Sequence, residues 1–365
     1  MRAYAAGLLL IVFALSGCAG GTASPDVPTA SPGLTTAAVS PTPSPPPEIT
    51  LIAAGDVMLG RSIGEGIVAS GTLYPFEFAA PPLREADIAF ANLESPITDR
   101  GEPAAKDFVF RGPTQGARAL RQAGLDVLSL ANNHMLDYGL EGLADTRAAL
   151  QGAGLAYTGA GDNESQARAP VVVRRGGLRV AFLAYVSTPP DSGSGFDVAG
   201  TQATADRPGV AWLSAEAVSQ DVTAAKQQAD VVVVSMHTGA EYQETPTDLQ
   251  VAAAHAAVDA GASLVLGSHP HVLQGIERYK GGLIAYSLGN FLFDFDSVDY
   301  SHPDLPSALS ALLRVRLTAA GVAGCEVLPV IVGEADGRPR PATGADAERV
   351  LARLRRLSDG SCGVG

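Results

Sequence analysis

From residue 49 onward the chain alternates short apolar runs with amphipathic stretches, and few architectures accept that alternation. The runs Ile49–Ala54, Ile88–Ala91, Val127–Ala131, Val180–Val186, Val231–Ser235, Leu264–Gly267 and Leu283–Tyr286 are short and apolar, as buried strands are. Helical periodicity fills the stretches near 114–123, 140–152, 215–229 and 246–260. Val315–Leu317 and Val327–Val332 add strand character late in the chain. The pattern predicts an α/β fold around one sheet or a pair of sheets. No internal repeat interrupts it. A main domain over 49–335 is followed by a C-terminal extension, 336–365, with a Pro/Gly loop and a short helix near 346–357.

The residues at which the runs stop carry the chemistry. The first ends in Gly55-Asp56, the second in Asn92-Leu93-Glu94, the third in Asn132-Asn133-His134, the fifth in His237, and the sixth in His269-Pro270-His271. Ligands of α/β sheets bind outside the carboxyl ends of the strands, so these side chains are expected to converge on one crevice. Four of the six histidines sit at such ends. Singly, a histidine after a strand is usually a hydrogen-bonded structural residue and an aspartate there a helix cap. Jointly, Asp56, Glu94, Asn133, His237, His269 and His271 form a mixed nitrogen and oxygen set suited to Mn, Fe or Zn.

The N-terminal residues read as an address rather than as fold. Arg2, the apolar run Ala5–Leu15 and the sequence Leu15-Ser16-Gly17-Cys18 resemble a lipoprotein signal over residues 1–18, with Cys18 as the lipidated residue. Residues 19–48 hold eight prolines in thirty positions among Ala, Gly, Ser and Thr, too polar and Pro-rich to bury a core. Extended as polyproline, such a spacer reaches roughly 90 Å. The expected location is the cell membrane, lipid-anchored and facing outside the cytoplasm. There Cys325 and Cys362 can pair; otherwise they are one buried thiol and one tail thiol. The net charge of −13 argues against a nucleic-acid partner, which needs a basic face. No apolar stretch reaches the roughly 20 residues of a membrane-spanning helix.

Seven stretches carry a family resemblance: Gly55-Asp56-Val57-Met58-Leu59-Gly60-Arg61, Asn92-Leu93-Glu94, Phe110-Arg111-Gly112-Pro113, Leu130–Gly139, Met236–Tyr242, Gly267–Val272 and Tyr286–Phe291. In this order they resemble the calcineurin-like metallophosphoesterases and, among them, the CapA family of poly-γ-glutamate capsule synthesis proteins. The resemblance implies a four-layer α/β/β/α sandwich with a centre of one or two divalent metal ions at the sheet edge. It implies Asp56 and His271 at one site, Asn133, His237 and His269 at the other, Glu94 bridging, and His134 beside the reacting group. The superfamily opens with Asp-x-His, whereas this chain has Met58 at the histidine position, so one site is expected to be weaker or differently completed.

The residue chemistry agrees with those roles. A carboxylate shared by two cations holds them about 3.5–4 Å apart. Next to a ligand, His134 can move a proton. Arg61 (as a catalytic anion clamp) and Arg111 (as a substrate contact) carry bidentate guanidinium groups; the alternative for each is an ion pair. Asp137 and Glu241 are candidates for orienting histidines. Asn290 reads as a turn residue, His255 as structural, and Pro189–Gly200 as a long loop bordering the site. No Gly-x-Ser-x-Gly elbow, phosphate loop or His-Glu-x-x-His is present, which disfavours serine hydrolases, nucleotide ligases and zincins. Polymer synthesis would therefore need another protein. Three readings follow: a metal-dependent phosphoesterase-type hydrolase, an accessory protein acting on poly-γ-glutamate within a membrane-bound complex, and a non-catalytic metal-binding module.

Overall fold

A parallel strand covered on both faces has no reason to alternate polar and apolar residues, and Val231-Val232-Val233-Val234 shows none. It becomes a fully buried strand at the centre of a sheet. The computed structural model describes residues 46–190, 194 and 196–364. The signal segment, Cys18, nearly all of the spacer and part of the Pro189–Gly200 loop lie outside the described residues.

The strands are β1 (Glu48–Val57), β2 (Ile88–Leu93), β3 (Val127–Ser129), β4 (Ala156–Thr158), β5 (Ala160–Gly161), β6 (Val171–Arg175), β7 (Leu178–Ser187) and β8 (Gly209–Val210). They continue with β9 (Val231–Thr238), β10 (Leu264–Ser268), β11 (Ile276–Tyr279), β12 (Gly282–Ala285), β13 (Asn290–Leu292), β14 (Leu309–Thr318), β15 (Gly321–Val332) and β16 (Pro339–Pro341). The helices are α1 (Arg61–Ser70), α2 (Ala80–Glu85), α3 (Gly116–Ala123), α4 (Gly139–Gly152), α5 (Glu164–Ala167), α6 (Ala215–Ala225), α7 (Asp248–Asp259) and α8 (Gly344–Leu357). The α/β class expected from the sequence is the observed one. Among the described residues no helix is long and apolar enough to cross a membrane.

One sheet runs β16-β15-β14-β1-β2-β3-β4, with β13 also paired to β1; a second runs β11-β12-β10-β9-β7-β6. Strand β1 shows why the two pack. Its alternate residues Leu51 and Ala53 enter a cluster with Phe182, Val233 and Leu266 of the second sheet, while Ile52 and Ala54 join Ile63, Leu120 and Leu143 of the helices. The Phe90 and Phe182 rings stack between the sheets with centroids 5.8 Å apart. On its other face the second sheet packs Val232 and Val234 against Val222 of α6 and Ala253 of α7.

Two local features aim the strand ends. Strand β1 leaves β14 after Ala53 and pairs instead with β13, placing Asp56 opposite Asn290. That switch brings Gly55 against the Gly289 carbonyl so closely that any β-carbon would collide with it, and the Asp56 amide donates to the same carbonyl at 3.0 Å. Glycine is the residue such a backbone approach admits. The sequence pattern did not predict α1 or β13.

The last thirty residues are tied into the main body. Val350 and Leu354 of α8 sit in the central cluster, and Cys362 forms a disulfide with Cys325 of β15. Of the two alternatives for these cysteines, the structure has the bridge. It closes a sequence separation of 37 residues, for which loop entropy predicts about 4 kcal/mol of stabilisation. Replacing both cysteines by serine is expected to lower the unfolding free energy by about that amount in a urea titration. A loss under about 1 kcal/mol would show that the bridge adds nothing to packing already present.

Candidate metal centre

Glu94 follows β2, and its carboxylate is fully buried with no hydrogen-bond partner on either oxygen. Its Oε1 lies 3.7 Å from His237 Nε2, 3.9 Å from His271 Nε2 and 4.0 Å from His134 Nε2. These gaps exceed a hydrogen bond but suit two ligands sharing one ion, since each metal–ligand bond takes about 2.0–2.2 Å. A fully buried carboxylate left without partners costs several kcal/mol unless a cation compensates it.

Neighbouring strand ends supply the rest. Asp56 Oδ1 accepts from Asn92 Nδ2 at 2.8 Å, and its Oδ2 accepts from the His269 amide at 3.2 Å. Asp56 Oδ2 is also 3.8 Å from His271 Nδ1. From the second sheet, His237 contacts Asn133 Oδ1 through Nε2 at 2.8 Å and Ser268 Oγ through Nδ1 at 3.0 Å. His269 is buried, with Nδ1 unpartnered. The turn carrying His269 and His271 holds both at positive φ, +97° and +59°, a strained backbone that aims two imidazoles inward. His271 Nδ1 meets Asn290 Oδ1 at 2.9 Å. Asn290 lies on β13 and fixes a histidine, where the sequence suggested a turn residue.

All six expected ligand residues therefore meet, and two groups could each hold an ion: Asp56 with Glu94 and His237, and Glu241 with His269 and His271. The orphaned Glu94 oxygens and His269 Nδ1 make the set fit a divalent metal. Met58 takes no part, because its sulfur accepts the Gly60 amide at 2.8 Å.

Electrostatics follow from burial. Desolvation, then the neighbouring Asp56 charge, raises the Glu94 carboxyl well above its ordinary range. Desolvation also raises Asp56. His237 and His269 are pushed well below the usual imidazole value, first by burial and then by neighbouring imidazoles. His134 falls to about 4, through burial and then the adjacent Lys106 ammonium. Its ring stacks on Phe110 at 4.0 Å between centroids, and Nδ1 lies 2.8 Å from Asp137 Oδ2. Lys106 Nζ is 3.2 Å from the same Nδ1, but the shorter contact is to a carboxylate, which only accepts; it assigns the proton to Nδ1 and leaves the Nε2 lone pair toward Glu94.

Lys106 was not singled out in the sequence. Its side chain is 3% exposed and pairs with Asp137 Oδ1 at 2.7 Å, while Nζ donates to the Asn133 carbonyl at 2.9 Å. A lone lysine in a loop gives no periodic signal. Asp137 meets His134 Nδ1, the contact that an orienting carboxylate would make. Arg61 and Arg111 are not brought into this cleft. Arg61 binds the Asp294 carbonyl and Asp296 and lies over Phe110; Arg111 is exposed, bonded to the Gly101 carbonyl and stacked on Tyr138. Both line a separate open groove. The cleft itself, about 310 Å³, is bordered by Lys106, Asn133, His134, Glu241 and His269, with Pro189, Pro190 and Phe196 from the expected loop. His255, expected to be structural, stacks on Tyr279 and bonds Glu277, away from the cleft.

The depressed His134 value fixes a sign. The unfolded chain binds a proton near pH 6.5 that the folded chain takes up only near 4, so stability falls as pH drops through that window. Relative to His134→Asn, the metal-free wild type should lose about 3 kcal/mol between pH 7 and pH 4. Parallel stability curves for the two proteins in chelator would refute this.

Comparison with known proteins places this architecture among relatives. The model of the family described as bacterial capsule synthesis protein PGA_cap matches residues 50–295. The capsule biosynthesis protein CapA of Bacillus anthracis is 36% identical over 318 residues, covering 85% of this chain and 73% of that protein. The PGA biosynthesis protein CapA of Bacillus subtilis (strain 168) is 32% identical over 308 residues, covering 84% and 77%.

Proposed function

Because this chain belongs to the bacterial capsule synthesis protein PGA_cap family, we propose that it serves poly-γ-glutamate capsule synthesis, export or anchoring through a metal-dependent hydrolytic site of phosphoesterase type. The observation carrying this reading is the buried, unpartnered Glu94 carboxylate ringed by three imidazole nitrogens. Asp56, Glu94, Asn133, His237, His269 and His271 would hold one or two ions of Mn, Fe or Zn. When bound, such an ion supplies Lewis-acid chemistry: it acidifies water and neutralises charge developing on a phosphoryl or acyl oxygen.

The chain's own residues do the rest. Lys106 pairs with Asp137; Asp137 accepts a hydrogen bond from His134 Nδ1; His134 Nε2 is left free to take a proton from water and deliver it to a leaving group. The cleft mouth, with Phe196 and Pro190, narrows access for bulk water. The substrate is a phosphoester or a γ-glutamyl bond of the polymer. Lipidated Cys18 and the Pro-rich spacer would hold the domain outside the cytoplasm, beside a membrane-bound synthesis complex. The Cys325–Cys362 bridge suits such an oxidising location.

A second reading is favoured by Met58, whose sulfur is committed to Gly60. With one ligand position lost, the centre would bind polymer carboxylates without cleaving a bond.

Elemental analysis of the purified protein should find near-stoichiometric divalent metal, reduced by Asp56→Asn and by His271→Ala. Against bis(p-nitrophenyl) phosphate and γ-glutamyl peptides, His134→Ala should cut turnover about 10²–10⁴-fold. Metal without turnover of either would favour the binding reading, and absence of metal would end both. For the anchor, mass spectrometry of the mature protein should find its N-terminus at Cys18 carrying acyl chains, and an unmodified Cys18 would exclude a lipid tether at that residue.

A further inference from the structure

The turn that carries His269 and His271 holds both residues at positive φ, and such a backbone persists only where its surroundings fix it. One support is the loop between β9 and α7, residues 239–247, whose Glu241 borders the cleft. The Tyr242 amide donates to the carbonyl of Pro270, between the two histidines, at 2.8 Å. Gln274 Nε2 donates back to the Gln243 carbonyl at 2.8 Å. Tyr242 is itself at φ +59°, so this loop needs a support of its own. Helix α8 provides it. Glu244 pairs with Arg353 at 2.6 Å and with Arg356 at 2.7 Å, one arginine to each carboxylate oxygen. The same helix reaches the loop on which Tyr242 stacks through His302: Arg349 donates to the Asp304 carbonyl at 3.2 Å and Arg353 to that of Pro306 at 3.4 Å. Positions 349, 353 and 356 follow helical spacing and so share one face. Val350 and Leu354 seat the helix in the central cluster, and Cys362 bonds its far end to β15. All of this lies beyond residues 50–295, the stretch that the family model matches.

We propose that Arg353 and Arg356 of the C-terminal extension are positioning residues for the cleft, acting through Glu244. They hold the 239–247 loop against the His269–His271 turn, and the loop keeps that turn in the backbone conformation that aims its imidazoles inward. The side chain of Arg356 is 59% exposed and that of Glu244 28% exposed, so the cluster adds little to global stability. Its effect is local, on the order of one loop and one turn. The functional side of this assignment rests on the reading of the cleft as a metal centre.

The test uses the full-length, metal-stripped protein in two measurements: calorimetric titration with Mn²⁺, and amide hydrogen exchange in chelator. The variants are Glu244→Gln, Arg353→Gln/Arg356→Gln, and the three changes combined. Each should bind Mn²⁺ about 10-fold more weakly, the lower end of what outer partners of metal ligands contribute. Each should also exchange at least about 10-fold faster over 239–247 and 268–275, with the amides of β9 and the urea midpoint unchanged. The combined variant should be no worse than either parent, because all three remove one contact. Arg353→Lys/Arg356→Lys should restore both readouts, since lysine keeps the charges. Wild-type exchange over the two segments in Glu244→Gln would overturn the proposal. So would losses that multiply in the combined variant, or exchange that rises uniformly with a lowered midpoint, the mark of a merely structural pair. Absence of Mn²⁺ binding in wild type would reject the metal centre, and the exchange contrast would then decide the positioning role by itself.

Discussion

Negative charge confined without water organises this molecule. Asp56 and Glu94 are fully buried, and between them only the Asp56 oxygens find hydrogen-bond donors. A protein can keep such groups only by protonating them or by bringing in positive charge. The parallel strands at the heart of two mixed sheets therefore end where their apolar faces stop, and the imidazoles of His237, His269 and His271 crowd the same point. The hydrophobic effect builds the walls, and electrostatics decides what the walls enclose.

The supports show how closely the site depends on the fold. Strand β13 exists as three residues, yet it gives β1 a new partner beyond Ala53 and delivers Asn290 to His271. Gly55 permits the approach, because the neighbouring carbonyl occupies the space of a side chain. Lys106, Asp137 and Phe110 form a second support. The lysine and the Phe110 amide satisfy the two carboxylate oxygens, and the Phe110 ring covers the imidazole that the carboxylate aligns. A residue of this kind matters through the tautomer it fixes.

Much of this was legible in the sequence, and the reasons are physical. Continuous apolar runs and period-3.6 patterns report burial directly, so the seven apolar runs and four helical stretches surfaced. Ligand residues surfaced because they sit where apolar runs stop. Helix α1 escaped because Gly64 and Gly66 break its propensity, while packing of Ile63 and Ile67 overrides that deficit. Lys106 and Asn290 escaped because their partners lie 27–31 and 19 positions away or lack any local pattern. Cysteine pairing is a question of distance in space, and spacing along the chain leaves it open. Arg61 and Arg111 carried the right charge but spend it on Asp296 and on the Tyr138 face.

The first strand of the folded part lies mid-sheet. Strand β1 is flanked by β2 and by β14, and Glu48 and Arg316, which form an ion pair across that seam, are 268 residues apart. The centre of that sheet cannot set until β14 has been made, so β1 waits unpaired on that side while every element between the two is synthesised. A product that stops short of Leu313 would leave the largely apolar edge of β1 unpaired, the kind of surface that other unfinished copies adhere to.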